Sequence, residues 1–354
     1  MSLTDLVLDS NPAFRTSAEV FDAIRERCAA VPELADCRTI GQSEEGREIL
    51  AVVLGGGERT ATLIAGAHAD EPVGPETLRT LILNGLQRPD ALAEWLTGRR
   101  LVIVPHINPD GEARNRAWIE QWPDLTAFLK HAVREAPGRD LEFGFPGMRV
   151  ENRAVSAFLE SYAPVALHMS LHGMAFSEGA MLLIERHWID RTREVREEFR
   201  RAVDRLGLPL HDHDRGGEKG FDYIEAGFTT TPEGRAMQRY FRDRNDPDTA
   251  ARFHLSSMEW IRTLGGDPLC LVTELPLFWL PPGEKSSPPG HPERYLALRE
   301  KLPQIRAALE REEPAGRFLL PFSPRPLQLA EAMRLQLDVI DAAFSRLEGM
   351  DAAE

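Results

Sequence analysis

Cysteine is nearly missing from this chain: Cys28, Cys37 and Cys270 are the only three in 354 residues. Their odd number and wide scatter exclude a disulfide framework and the paired spacing of a metal finger, and they suggest a reducing compartment. Long apolar runs are missing too. No stretch approaches the roughly 18 residues needed to span a bilayer, and residues 1–14 lack both the basic start and the apolar segment of a secretory leader. Nor is there an excess of positive charge. The 42 Lys and Arg face 56 Asp and Glu, a formal charge of -14, which argues against a nucleic-acid-binding surface. No internal repeat is present. The expectation is a cytoplasmic protein with neither membrane nor nucleic acid among its partners.

What is present is alternation. Residues 17–29 carry a helical pattern with Ser17 as N-cap and Val20, Phe21 and Ile24 on one face. Residues 50–54 and 61–66 read as strands flanking the turn Gly55-Gly56-Gly57, and a helix is expected over 74–86. Residues 101–105 give another strand, running into a turn at Asn108-Pro109-Asp110-Gly111. A helix over 151–162 precedes an apolar strand over 164–171. This pattern predicts an α/β fold: one domain with a mixed, largely parallel twisted sheet covered by helices on both faces. The main domain is expected over 1–320. Within it, a strongly charged insertion over about 185–254 carries one helix (190–206) and covers the cleft. A Pro- and Ser-rich loop is expected over 281–292. Residues 321–354 hold a C-terminal helix whose apolar stripe is Leu329, Met333, Leu337, Ile340, Phe344 and Leu347, with Gly349 as its stop. That stripe is expected to dock on the domain, with a dimer seam as the alternative; the oligomeric state stays open.

Four residues stand at the ends of apolar runs. His68 and Glu71, in His-Ala-Asp-Glu, follow the 61–66 run; His172 ends the 164–171 run; Glu274 ends Leu269-Cys270-Leu271-Val272-Thr273. Open α/β sheets bind ligands at the carboxyl ends of their strands. Two imidazoles and a carboxylate meeting there suit one Zn2+ ion with a position left for solvent. Glu274 would then be the general base. His168 lies on the same strand face as His172 and competes as third ligand; His172 is preferred because it stands at the strand end. The run His211-Asp212-His213-Asp214 also invites a second-metal reading, with a plain polar loop as the preferred alternative.

Several segments, in order, resemble the M14 metallocarboxypeptidases of the carboxypeptidase A type. Ile40-Gly41-Gln42-Ser43-Glu44-Glu45-Gly46-Arg47-Glu48-Ile49 is similar to that family's opening motif, and His68-Ala69-Asp70-Glu71 to its two-ligand motif. Asn108-Pro109-Asp110-Gly111 matches a turn one strand later. Ser170-Leu171-His172-Gly173 resembles the third-ligand motif and Thr273-Glu274 the general-base motif. The likeness runs over roughly residues 15–310. It implies a further arginine that polarises the scissile carbonyl, with Arg114 and Arg116 both eligible. The chain departs from the family where an Asn-Arg pair holds the substrate's terminal carboxylate: Asp140-Leu141-Glu142-Phe143 places Glu142 and Phe143 there. The family tyrosine over the substrate has no counterpart, and Arg262 stands near its place. With Glu142 opposed to a carboxylate, the expectation is repulsion of a free C-terminus unless Arg262 or Arg149 compensates.

The resemblance implies a zinc-dependent hydrolase acting on a peptide or small acyl-amino-acid substrate of non-standard type. Two alternatives are an N-acyl amino acid deacylase resembling the aspartoacylase and succinylglutamate desuccinylase group, and a non-catalytic binding module on a peptidase scaffold.

Overall fold

The computed structural model describes residues 1–9, 11–283, 287–313 and 316–351. Ten strands form one mixed sheet: β1 (Ala35–Gln42), β2 (Glu48–Leu54), β3 (Arg59–Ala65), β4 (Arg99–Val104), β5 (Leu167–Ser177), β6 (Met181–Ile184), β7 (Tyr223–Glu225), β8 (Phe228–Thr230), β9 (Leu269–Trp279) and β10 (Arg325–Pro326). The order is β1-β2-β4-β3-β5-β9-β6-β8-β7, with β10 paired to β9. The centre, β4-β3-β5-β9, is parallel, while both flanks bring in antiparallel pairs. The central strands are apolar on both faces, and alternate residues enter different cores. Leu63, Leu101, Met169 and Leu271 pack on one side; Ile64, Val102 and Val272 pack on the other.

The first side is covered by the helices Ser17–Ala30, Val73–Gly85, Arg193–Arg205 and Leu329–Asp351. The stripe Leu329, Met333, Leu337, Ile340, Phe344 and Leu347 is buried there, and the Phe344 ring meets Trp95 edge-on with centroids 5.5 Å apart. The helix continues past Gly349 to Asp351, so this glycine is not its stop. Thr16, not Ser17, caps the early helix, in reciprocal contact with Glu19. Asn108-Pro109-Asp110-Gly111 opens the helix Pro109–Ile119: the Asn108 side chain accepts from Gly111 N at 3.0 Å, and Pro109 suits the first turn because it has no N–H to satisfy. Asp110 then anchors the opening motif, accepting from Ser43 Oγ at 2.5 Å, Glu45 N at 3.0 Å and Arg47 at 2.8 Å.

The charged segment holds more than one helix. After Arg193–Arg205 come β7 and β8 and the helices Gly234–Arg242 and Pro247–Ala250. The strands have three residues each, too short for an alternation to be read from sequence. The helix 193–205 faces the core through Val195, Phe199, Ala202 and Val203; it is the later residues that reach the cleft. The expected loop over 281–292 falls partly outside the described residues. Among the described residues, no helix is long and apolar enough to cross a membrane.

Candidate metal centre and cleft

The cleft opens because the strands end at different points. β3 stops at Ala65, whose partner on β5 is Leu171. β5 and β9 run on as a pair to Ser177 and Trp279, since their continuations stay apolar. The expectation that the strands end at His172 and Glu274 is therefore corrected. His172 is instead the first β5 residue past the end of β3, and Glu274 is its register partner on β9. His168, Ser170 and His172 share one face of β5 by the two-residue period.

From β3 the chain turns at Gly66, whose φ of 74° and close approach to the His106 ring (an added Cβ would lie 2.5 Å away) leave no room for a side chain. The turn 68–71 closes with Glu71 N bonded to His68 O at 3.2 Å, which brings both side chains to one side. His68 Nδ1 lies 3.0 Å from Glu71 Oε1; His172 Nδ1 lies 2.8 Å from Glu71 Oε2 and 3.1 Å from His68 Nδ1. One ligand atom from each of the three falls within 4.8 Å of the others, the one such group found among the described residues. His211 and His213 thus form no second centre of this kind. His168 is not in the group: it is fully buried, bonded to Thr62 Oγ1 (2.8 Å) and Ser257 Oγ (3.0 Å), and burial pushes its pKa down to about 4.

Carboxylates stand behind both imidazoles. His172 Nε2–H donates to Glu142 Oε2 at 3.1 Å, and Asp140 lies 4.0 Å from His68 Nε2. With Nε2 occupied by Glu142, Nδ1 is the His172 nitrogen that would ligate a metal beside Glu71 and His68, giving up its proton to do so. Burial opposes charge on His172, but Glu142 and Glu71 hold its pKa well above the imidazole range. Burial likewise opposes the Glu71 anion, yet His68, Arg134 and His172 keep that carboxyl well below its usual range. The pocket is built to hold positive charge at the point where the nitrogens converge. Two imidazoles and a carboxylate oxygen, with no thiolate, are a donor set that suits Zn2+.

Glu142 corrects an expectation. It lines the cleft, but Oε1 accepts from Ser257 N (3.0 Å) and Ser257 Oγ (2.6 Å), and Oε2 accepts from Ser170 Oγ (2.9 Å) as well as His172. Its side chain is 5% exposed. A carboxylate so fully engaged, with His172 balancing its charge, does not oppose a substrate. Phe143 does line the cavity. Arg114 and Arg116 do not: they point outward on an exposed helix face and pair with Glu45 and Glu120. Arg262 pairs with Glu185 at 3.1 Å, away from the cavity lining, and Arg149 is buried against Glu151 at 2.8 Å. The arginine that does reach the centre is Arg134, bonded to Glu71 Oε1 at 2.8 Å and to Asp70 at 3.3 Å. It lies in a coil after the helix Leu125–His131, with no periodic or motif signal to single it out.

Glu274 lines the same cavity of about 840 Å³. Burial and the neighbouring Glu71 push its carboxyl up to about 7, with His172, His68 and Arg134 pulling the other way. Its Oε2 is buried with no hydrogen-bond partner among the described residues. Beneath the centre, Gln336 on the C-terminal helix accepts from Thr77 Oγ1 at 2.6 Å and donates to Thr273 Oγ1 at 3.1 Å and to His172 O at 3.4 Å. It ties three elements together under the two strands, a role that its place in an otherwise apolar stripe region hints at only in retrospect.

The family model described as zinc carboxypeptidase, Peptidase_M14, matches residues 20–145, which include His68, Glu71 and Glu142 but not His172 or Glu274. Carboxypeptidase D of Rattus norvegicus is 30% identical over 185 residues, 49% of this chain and 13% of that protein. Carboxypeptidase D of Homo sapiens is 31% identical over 165 residues, 43% of this chain and 11% of the human one. The matched region is thus a small part of those relatives' length. A metallo-carboxypeptidase structure from Burkholderia cenocepacia shares the fold, with a TM-score of 0.51 at 15% identity over 92% of this chain and 68% of its own. The matched segment, the relatives and the fold thus agree in what the chain is similar to: zinc carboxypeptidases of the M14 type, with the sequence likeness confined to less than half of it.

Proposed function

We propose that the protein is a zinc-dependent hydrolase of peptide or related amide bonds, in which His68, Glu71 and His172 hold the metal and Glu274 is the general base. The observation that carries this reading is the register pairing of His172 with Glu274 at the end of β3, which sets a carboxylate with an unpartnered oxygen beside the converging ligands. Zinc, when bound, supplies the Lewis acidity that favours deprotonation of water near neutral pH. Glu274 accepts the proton of the attacking water at Oε2 and delivers it to the leaving amine. A base with a pKa near the working pH can do both. Arg134 takes the place expected of Arg114 or Arg116, its guanidinium donating to the oxygen that gains charge as the carbonyl is attacked. Glu142 holds the His172 imidazole in the ligating orientation and touches no substrate, while Asp140, 4.0 Å from His68 Nε2, acts on His68 only through its charge. Arg134 is held at the centre by Glu71 and Asp70, while its own side chain is 45% exposed towards the cleft where a substrate would enter.

The test is Glu274→Gln in zinc-supplemented protein. Zinc content should be retained while kcat falls by about 10²- to 10⁴-fold on any amide that the unmutated protein cleaves. Unchanged turnover in this variant would remove Glu274 from the mechanism.

A further inference from the structure

The wall of the cavity furnished by the later insertion and by the helix Glu293–Glu310 collects hydrogen-bond donors that have no acceptor among the described residues. Arg215 forms no ion pair among the described residues; its guanidinium rests on the Phe221 ring, 4.0 Å from the centroid. Burial pulls the Arg215 pKa down, so the charge is partly withdrawn from water, with no carboxylate in ion-pair contact among the described residues. Arg299 and the Tyr295 hydroxyl likewise have no hydrogen bond or ion pair among the described residues. His213 is 8% exposed, and its Nδ1 is buried with no partner among the described residues. Its ring packs edge-on against Tyr295, centroids 5.6 Å apart. All four side chains line the cavity that contains Glu274. Two carboxylates also line this wall. Asp214 is exposed and accepts from Gly216 N at 2.8 Å, and Glu218 lies 3.5 Å from Arg244. Neither is in ion-pair contact with Arg215 among the described residues, although Glu218, like Glu274, favours its charge from a distance.

A partly desolvated cation without a partner is costly, and it is retained where a ligand supplies the missing anion. Apart from Glu274, the carboxylates elsewhere in the lining are engaged away from this wall: Glu71 with Arg134 and His172, Asp140 with Phe143 N, Glu142 with Ser170, His172 and Ser257, and one oxygen of Glu135 with Asn108. We propose that His213, Arg215, Tyr295 and Arg299 form an anion subsite, so that the enzyme prefers substrates bearing a carboxylate on the group bound beside Glu274. This rests on the hydrolase reading above. The carboxylate can come from the substrate's C-terminus or from an acidic side chain; both present the same planar acceptor to Arg215.

The experiment uses zinc-supplemented full-length protein and matched blocked dipeptides ending in Glu or Gln, each as free acid and as C-terminal amide. The doubly acidic substrate should exceed the neutral Gln amide in kcat/KM by at least about tenfold, chiefly through KM, as expected for one lost charge-assisted bond. Arg215→Ala should reduce that ratio to below about threefold, Arg299→Ala should weaken it, and Arg215→Lys should restore part of it. The advantage kept by the Glu amide or by the Gln acid identifies the side chain or the terminus as the source. Equal ratios in the unmutated protein and Arg215→Ala would overturn the subsite while leaving the hydrolase reading intact. If no substrate is cleaved, calorimetric binding of N-acetylglutamate against its neutral diamide decides. Preference for the acid that is lost in Arg215→Ala upholds the subsite without the hydrolase; equal affinities sink it.

Discussion

Replacing Glu142 by Gln should weaken zinc binding, not improve substrate binding. The carboxylate has four donors around it: Ser257 N and Oγ on Oε1, and Ser170 Oγ and His172 Nε2 on Oε2. A glutamine has one acceptor atom to offer. With its oxygen towards His172, its NH2 faces the Ser257 N–H at 3.0 Å, donor against donor; turned the other way, it faces the His172 N–H. Either orientation leaves a buried donor unsatisfied and removes the charge that holds His172 in the ligating tautomer. Loss of such a partner costs about 10- to 100-fold in metal affinity, or about 1.4 to 3 kcal/mol. Competition with a chromophoric chelator at pH 7 measures it, with thermal unfolding of the metal-free proteins to separate a general loss of stability. A Glu142→Gln protein that binds zinc as tightly as the unmutated one, yet gains activity on free C-terminal carboxylates, would refute this reasoning and return Glu142 to the substrate side.

The buried pair Arg79–Glu112, at 2.6 Å, predicts an acid limb in stability. Burial opposes the Glu112 anion, but Arg79 and His106 lower its pKa to about 2, from an unfolded value of 4.5. The folded value is the lower one, so its contribution is present above pH 4.5 and fades as pH falls towards 2; the gap corresponds to about 3 kcal/mol. Burial holds His106 at about 4 against 6.5 unfolded, so acid below 6.5 also favours the unfolded chain. Urea midpoints between pH 7 and 3 should therefore fall, and Glu112→Gln should be less stable at pH 7 with a shallower fall; an equally steep fall would contradict the assignment. Phe344→Ala, at a fully buried site against Trp95, should cost about 3 to 5 kcal/mol in chemical denaturation. A loss below about 1 kcal/mol would mean that the C-terminal helix is not part of the cooperative core.

The parts of the site legible in sequence are those delivered by strands. Buried parallel strands leave a continuous apolar run, so His68, His172 and Glu274 each stand out as the first polar group after one, and the structure does bring His68, Glu71 and His172 together. The same rule misjudged how far β5 and β9 run, because Leu275, Leu277 and Phe278 stay apolar beyond Glu274. Direction was illegible. Glu142 occupies the position in sequence that the family resemblance assigns to a substrate clamp, yet its oxygens turn inward to Ser257, a residue 115 positions away. Arg114 and Arg116 lie next to a recognisable turn, but that turn begins a helix whose outer face they share. Arg134 and Arg215 come from irregular chain, where neither period nor motif marks a side chain and only the folded path decides what it faces. The short strands β7 and β8 hid in a charged segment because three residues carry too little alternation to be read.

Zinc content tests the central claim most directly. Full-length protein stripped with chelator, reloaded with zinc and desalted should carry close to one equivalent by atomic emission, and His172→Ala treated in the same way should carry little. The comparison requires both proteins to be folded, as judged by circular dichroism. A folded, unmutated protein that keeps less than about a third of an equivalent, or a His172→Ala protein that keeps as much as the unmutated one, would contradict the assignment of His68, Glu71 and His172 as the metal centre.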